Sequence, residues 1–388
     1  MPGLRASVYD VTHPNQRHLS KFGAMIQAKG KLVELLEALD GAARILILTH
    51  NHPDPDALAS AFALRHILAH THAAKVKIGY GGNLGRAENR AMVRLLRIPI
   101  REMSTGQAAR FKFIALVDGH PKAKNVLVKK GLRYSVVIDH HISRRECPAT
   151  FADLRVTYGA TCSILTEYIR DNDIPLDARV ATALYYGIKS DIADLGRDAV
   201  DADFRMLQFL YPKISLRWLT RIERARVPRR YYRHYAAALA NARIVEDVIV
   251  SDMGRITNPE TVAELADFFL KTEGVRWTLC LGVIDHRLQF SLRTVRKGRS
   301  AGAIAAQLVG RRGSAGGHDR SAGGMLPLED ADDEKIGEER HRLVADFCRI
   351  VGRDFADAHR LVPEPALAEA RPVPQDSADP VARNGDRS

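Results

Sequence analysis

The sequence predicts an α/β protein of two domains, the first on a mainly parallel sheet and the second a smaller α/β unit, with the active site expected in the cleft between them. Three observations carry this. Its 388 residues exceed one small domain and suffice for two, each with its own core. Short apolar runs alternate with helical patterns over the first half, as in parallel strands joined by helices. From about Ala242 the rhythm changes to strand, helix, strand, strand, helix.

After a polar lead (1–24), Lys31–Asp40 places Leu32, Leu35, Leu36 and Leu39 on one helical face. Arg44–Thr49 reads as a buried strand, His50–Pro55 as a Pro/Asp-rich loop and Asp56–Ala69 as a helix. Strand-like runs follow at Lys75–Tyr80, Phe113–Val117 and Tyr134–Ile138, separated by helical patterns at Glu88–Leu96 and Gly159–Ile169. Asp177–Ser190 and Asp203–Tyr211 are helical, and these elements make up a first domain over 25–220. The basic stretch from 221 to 241 reads as a linker. The second domain, 242–358, contains Ile244–Ser251, Thr261–Lys271, Trp277–Ile284, Leu288–Thr294 and Ala301–Val309, then a Gly-rich loop at Gly310–Gly324 and a last helix at Glu338–Ala358. The remainder, 359–388, is rich in Pro, Ala, Asp and Arg without periodicity and is expected to be disordered.

Hydrophobic residues make up 46% and charged residues 27%, ordinary for a soluble chain. Met1 to Ser20 has no apolar core for a signal peptide, and runs such as Ile45–Leu48 fall far short of a bilayer span. Cys147, Cys162, Cys280 and Cys348 have no paired spacing, so reduced thiols in the cytoplasm and no membrane partner are expected. The net charge of +12 favours anionic partners, although an arginine-rich proteome would give the same balance.

The chemistry concentrates at strand ends. His50-Asn-His-Pro-Asp54-Pro-Asp56 follows the first strand, where open α/β sheets place their ligands. Pro53 and Pro55 stiffen that turn. The strand Phe113–Val117 ends in Asp118, and the next ends in Asp139-His140-His141. Asp191 closes a helical stretch. Three successive strand ends bearing Asp or His exceed chance, whereas any one of them is common. Imidazoles with carboxylates and no thiolate suit divalent cations, Mn²⁺ first with Mg²⁺ or Co²⁺ as alternatives, rather than a structural zinc. A bridging aspartate would hold two cations about 3.5–4 Å apart, the spacing of two-metal hydrolytic sites. The competing reading of Asp56 is a helix cap, which does not exclude metal binding. His66, His70 and His72 lack acidic neighbours in sequence and read as surface or core residues. His52 is out of register with the ligands, and His120 reads as a loop histidine rather than an added ligand. The segment Gly79–Arg90, with Arg86, Glu88 and Asn89, reads equally as a substrate contact and as a solvated helix start.

These motifs resemble the DHH phosphoesterase superfamily over roughly residues 25 to 355. The resemblance rests on the Asp139-His140-His141 triplet, the spacing of His50, Asp54 and Asp56, the strand-end Asp118, and Asp191. It implies that one metal is held by His50, Asp54, Asp118 and Asp191, and the other by Asp56, Asp118 and His140. His141 would face the scissile phosphate as hydrogen-bond donor or general acid, and Asp139 would orient an imidazole. One departure is Ile192, where many relatives carry threonine. The second domain is similar to the DHH-associated domain. By that likeness Gly316, Gly317 and His318 form a substrate loop, and Arg293 of Phe290-Ser-Leu-Arg293 meets a substrate phosphate. The implied activity is that of an oligoribonuclease that also dephosphorylates 3′-phosphoadenosine 5′-phosphate. Alternatives are hydrolysis of cyclic or linear dinucleotides, 5′–3′ single-strand exonuclease action, and a non-catalytic nucleotide-binding role. The implied partner is short RNA or a nucleotide, and a homodimer stays open.

Overall fold

The computed structural model describes residues 30–123, 125–127, 133–141, 146–193, 200–229, 231–296, 298–317, 319–328 and 332–363. The chain divides into two compact units at Val227/Pro228.

The first unit begins with helix α1 (30–37) and continues through β1 (Arg44–Leu48), α2 (Pro55–Thr71), β2 (Lys75–Tyr80), α3 (Ala87–Leu96), β3 (Ile100–Glu102), α4 (Thr105–Ala108), β4 (Phe113–Val117), β5 (Tyr134–Asp139) and β6 (Ala149–Leu154). Helices α5 (Thr161–Asp171), α6 (Ala178–Ala193), α7 (Asp201–Leu210) and α8 (Leu216–Glu223) complete it. Its six strands run parallel in the order β3-β2-β1-β4-β5-β6. β1, β4 and β5 are continuous apolar runs because both sheet faces are covered. The order reverses at β1: the chain goes one way to β2 and β3, then returns to β4 on the other side. Loops leaving the carboxyl ends of β1 and β4 therefore part at that point, and the crevice between them is where such sheets bind ligands.

Helix α2 is apolar nearly all round and buried among the sheet, α5 and α6. It approaches α6 at Gly187, where an added Cβ would lie 2.6 Å from Cys162 Sγ, 3.1 Å from Ala59 Cβ and 3.2 Å from the Pro55 carbonyl. Gly187→Ala is expected to lower unit stability by about 1–3 kcal/mol, the cost of overpacking, read as a drop in Tm. An unchanged melt would mean that α2 and α6 separate at no cost.

The second unit contains α9 (Tyr231–Asn241), β7 (Arg243–Val245), β8 (Val248–Arg255), α10 (Glu260–Phe269), β9 (Trp277–Ile284), β10 (Arg287–Thr294), α11 (Ala301–Val309), β11 (Ser314–Gly317), β12 (Ser321–Pro327), α12 (Asp333–Val351) and β13 (His359–Arg360). Its sheet runs β11-β12-β10-β9-β8-β7-β13, parallel between β8 and β9 across α10 and antiparallel elsewhere. Alternation along β8 divides two cores. Val248 and Val250 face α11 and α12, whereas Ile249 faces α9 and α10.

The α/β class and the parallel first sheet agree with the sequence reading, and several elements differ. β3 and β6 are additional edge strands. The expected Gly-rich loop is largely the β11–β12 hairpin, with Gly316 opposite Gly323 and Gly324 laid against the Phe290 ring, where a Cβ would sit 2.6 Å from Cζ. The last helix starts earlier than expected, at the Asp332 cap, and stops at Gly352 with φ 81°. The stretch read as a linker holds the end of α8 and all of α9, whose Ala238 is buried in the second unit. His359–Arg360, placed in the tail, pairs with β7. The remaining tail from 364 lies outside the described residues.

Candidate metal centre

His50 follows β1, and its loop is clamped from several sides. His50 forms a bridge with Val126, and the Asn51 N–H donates to the Asn125 carbonyl at 2.5 Å. The buried Asn89 amide donates to the Pro53 carbonyl at 3.0 Å, and the His52 N–H donates to the Gly81 carbonyl at 2.9 Å. The His52 ring bonds Asn83, and Asn89 is a buried brace. Asp54 caps α2, accepting from Ala57 N–H at 2.9 Å. The cap is thus Asp54 rather than Asp56. Asp56 is 1% exposed and accepts from the N–H groups of Thr161 and Cys162 at 2.7 and 2.8 Å. These are orphan donors at the start of α5, whose N-cap residue, Ala160, offers no side-chain acceptor.

Asp118 stands at the end of β4 in the left-handed region, φ 54°, which aspartate tolerates at modest cost. It is 1% exposed. Its Oδ2 lies 3.5 Å from His50 Nε2, and its Oδ1 lies 3.6 Å from His140 Nε2 and accepts from Thr161 Oγ1 at 3.0 Å. One carboxylate therefore serves two imidazole-centred groups. His50 Nδ1 faces the Asn51 carbonyl at 2.9 Å and His140 Nδ1 the Tyr158 carbonyl at 3.2 Å. Each Nδ1 donates its proton there, leaving Nε2 as the ring atom that faces the carboxylates.

His50, Asp54 and Asp118 form one set with donor atoms within 4.8 Å of one another, and Asp56, His140 and Asp191 form a second. Asp118, His140 and His141 form a third. The grouping differs from the division implied by the resemblance at one residue. Asp191 lies 3.4 Å from His140 Nε2 and clusters with Asp56 and His140, whereas the resemblance paired it with His50. His141 Nδ1 is bonded to Asp139 Oδ1 at 2.7 Å, so Asp139 does orient an imidazole. Hard carboxylate oxygens around two Nε2 atoms, those of Asp56 and Asp118 buried, fit two divalent cations sharing Asp118.

The electrostatics agree. Burial and the charges of Asp118, Asp191 and Asp54 push Asp56 well above the usual carboxylate range. Burial alone would raise Asp118 too, but its bond to His50 and the charges of His141 and His140 hold it far below. Burial disfavours the His50 imidazolium, yet Asp118 and Asp54 outweigh it, and its pKa is raised well above the ordinary value. A ligand imidazole must be neutral and Asp56 ionised, so cation binding is expected to expel protons and, below those raised pKa values, to weaken by about tenfold per unit fall in pH for each proton displaced. Titration calorimetry in buffers of different ionisation enthalpy reads this directly; equal heats would refute it.

Elsewhere, His66 bonds the Pro175 carbonyl, His70 the His66 carbonyl and His72 the Leu39 carbonyl, all away from the ligand sets. His120 is a buried loop residue whose Nδ1 accepts from Lys122 N–H. In the second unit, Arg293 is 8% exposed, with its guanidinium committed to Asp267, Ser291 and the carbonyls of Leu292 and Ala322. A substrate phosphate would have to compete with Asp267 for it. Gly316 has open space where a Cβ would point, and Gly317 adopts φ 151° against Ala322. His318 lies outside the described residues. Sequence reasoning placed the helix that becomes α5 but missed Thr161 and Tyr158 as contacts of the site. The missing polar cap at Ala160 was the available signal.

A parallel α/β unit with grouped carboxylates and imidazoles that could hold divalent cations at its switch point defines the class. Residues 44–188 match the DHH family, N-terminal domain, and residues 246–338 match the DHHA1 domain, so the chain carries the two domains that the resemblance implied. An uncharacterized protein of Methanocaldococcus jannaschii is 34% identical over 287 residues, 74% of this chain and 58% of that protein, so the chain spans little more than half of that relative's length. Among solved structures, an exopolyphosphatase-related protein from Bacteroides fragilis is similar with a TM-score of 0.63 and 16% identity, covering 83% of this chain and 98% of that one. RecJ in complex with Mn²⁺ from Thermus thermophilus gives a TM-score of 0.48 and 15% identity, covering 84% of this chain and 55% of that one. The Bacteroides likeness speaks for the fold. No helix among the described residues is long and apolar enough to cross a membrane.

Proposed function

We propose that the chain is a phosphoester hydrolase using two divalent cations, with Mn²⁺ the first choice. The observation that carries this reading is Asp118, whose two oxygens face His50 and His140 separately. Cations there would polarise phosphoryl oxygens and lower the pKa of a bound water. His50, Asp54 and Asp118 would hold one, and Asp56, Asp118, His140 and Asp191 the other. His141 holds the proton that the leaving oxygen needs. Its pKa is raised to about 9, since the bond to Asp139 and the charge of Asp118 outweigh burial.

The proposed substrates are short oligoribonucleotides, cleaved to nucleoside 5′-monophosphates, and 3′-phosphoadenosine 5′-phosphate. The DHHA1 domain, its open Gly316 position and the net charge of +12 support a small anionic ligand. Free thiols at all four cysteines accord with a cytoplasmic setting. A panel running from bisphosphorylated nucleosides through linear and cyclic dinucleotides to longer strands, assayed with Mn²⁺, tests the reading. Release of monophosphates fastest from the shortest linear members is expected. Intact dinucleotides and intact 3′-phosphoadenosine 5′-phosphate would sink the substrate assignment.

A further inference from the structure

We infer that Arg155 is a positioning residue for the second cation's ligands, acting through the bracket that joins β6 to α5; this rests on reading His140 as a ligand. The bracket starts with the Arg155 N–H donating to the Asp139 carbonyl at 2.9 Å, and the Tyr158 N–H closes a turn on the Arg155 carbonyl at 3.0 Å. The Tyr158 carbonyl then receives His140 Nδ1. Three residues on, Thr161 gives its N–H to Asp56 and its hydroxyl to Asp118. One short segment thus touches His140, Asp56 and Asp118.

The Arg155 side chain locks that segment. Its Nε lies 3.0 Å from both oxygens of Asp153, and one terminal nitrogen lies 2.9 Å from Asp153 Oδ2. The other lies 3.2 Å from both Glu167 Oε2 and the Tyr158 hydroxyl. The Tyr158 hydroxyl donates to Glu167, and the Tyr168 hydroxyl donates to Asp153 at 2.7 Å. The guanidinium also packs over the rings of Tyr158 and Tyr168, 5.2 and 5.8 Å from their centroids. Asp153 and Glu167 are each 5% exposed, and one planar fork satisfies both; a lysine ammonium reaches two such carboxylates poorly. Freed from this lock, the bracket can shift, and with it the carbonyl that fixes the His140 tautomer.

Apart from the Thr161 hydroxyl on the shared Asp118, the His50–Asp54 group makes none of these contacts, so the larger effect falls on the other group. Mn²⁺ titration of the metal-free full chain by calorimetry, alongside a thermal melt, tests it. The wild type is expected to show two binding events. Arg155→Lys should weaken one event about 10–100-fold, the usual size of a lost outer partner, and leave the other within about threefold. If Arg155→Lys does not fold, Tyr158→Phe carries the same expectation with a smaller loss. Two unchanged events in the folded variant overturn the inference. Equal weakening of both, with a lower Tm, overturns it as well, since that is what general loosening does. A wild type that binds fewer than two Mn²⁺ ions would remove the metal-centre reading itself, a failure visible before any variant is made.

Discussion

Asp118→Asn is expected to abolish hydrolysis, by about 10³-fold or more, and to reduce Mn²⁺ stoichiometry from two to at most one. The substitution keeps shape and burial but removes the charge that both groups share. An amide has one oxygen, so it can face His50 or His140 but not both. Its nitrogen cannot ligate a cation, and it would point a donor at Nε2 atoms or at a cation. The fold is not expected to suffer. Four carboxylates, Asp54, Asp56, Asp118 and Asp191, contribute to the ligand sets, and the Asp118 charge is one of the causes that raises Asp56. Removing it relieves that repulsion but also removes the attraction of Asp118 for His50, His140 and His141, so the melt without metal should fall modestly, while stabilisation by Mn²⁺ should shrink. Hydrolysis at wild-type rate by a variant with one cation would end the shared-carboxylate assignment.

The clustered carboxylates and imidazoles were legible because of how buried parallel strands end. RILIL, FIALV and YSVVID are apolar on both faces, and each stops at a polar group that a core would reject. What joins those strand ends was not legible. Asp191 falls with His140 because α6 delivers its last turn there, and no spacing in the chain encodes that choice. Asp56 is held by backbone N–H groups of Thr161 and Cys162, which carry no sequence signature beyond Ala160 standing where a capping side chain is usual.

The misread elements have separate causes. β3 is three residues long and mostly exposed, and β6 alternates at the sheet edge, so neither produces a buried run. The glycines of β11 and β12 argue against strands by composition. They form strands because β10 pairs with β12 along seven residues, and the Phe290 ring fills the space that side chains would occupy. The early start of α12 was recoverable: Asp332 caps it and accepts from Lys335 N–H at 2.9 Å.

Asp139→Asn should separate binding from chemistry in the same centre. Asp139 is 1% exposed and belongs to neither the His50 set nor the Asp191 set, so Mn²⁺ affinity should change little. Its role is to raise His141, together with Asp118 and against burial, to about 9. An imidazole raised in this way is protonated below that value and loses its proton as pH rises through it. The amide oxygen of the variant could still accept a bond from Nδ1, but without charge it would let the His141 pKa fall towards or below the ordinary value. The protonated fraction at pH 8 would then drop, and the alkaline limb of the rate profile would move to lower pH. In the metal-free chain, a histidine titration by NMR should show His141 near 9 in the wild type and lower in the variant. Cations bound at Asp118 add positive charge nearby and pull the value down in both. His141→Gln removes the proton donor altogether and should cost about 10²–10⁴-fold in turnover at every pH, the range of a general acid, with both Mn²⁺ events retained. If His141→Gln retained full activity while Asp139→Asn lost a cation, Asp139 would act on the metal rather than on the proton, and the division of labour between the two halves of the triplet would have to be reversed.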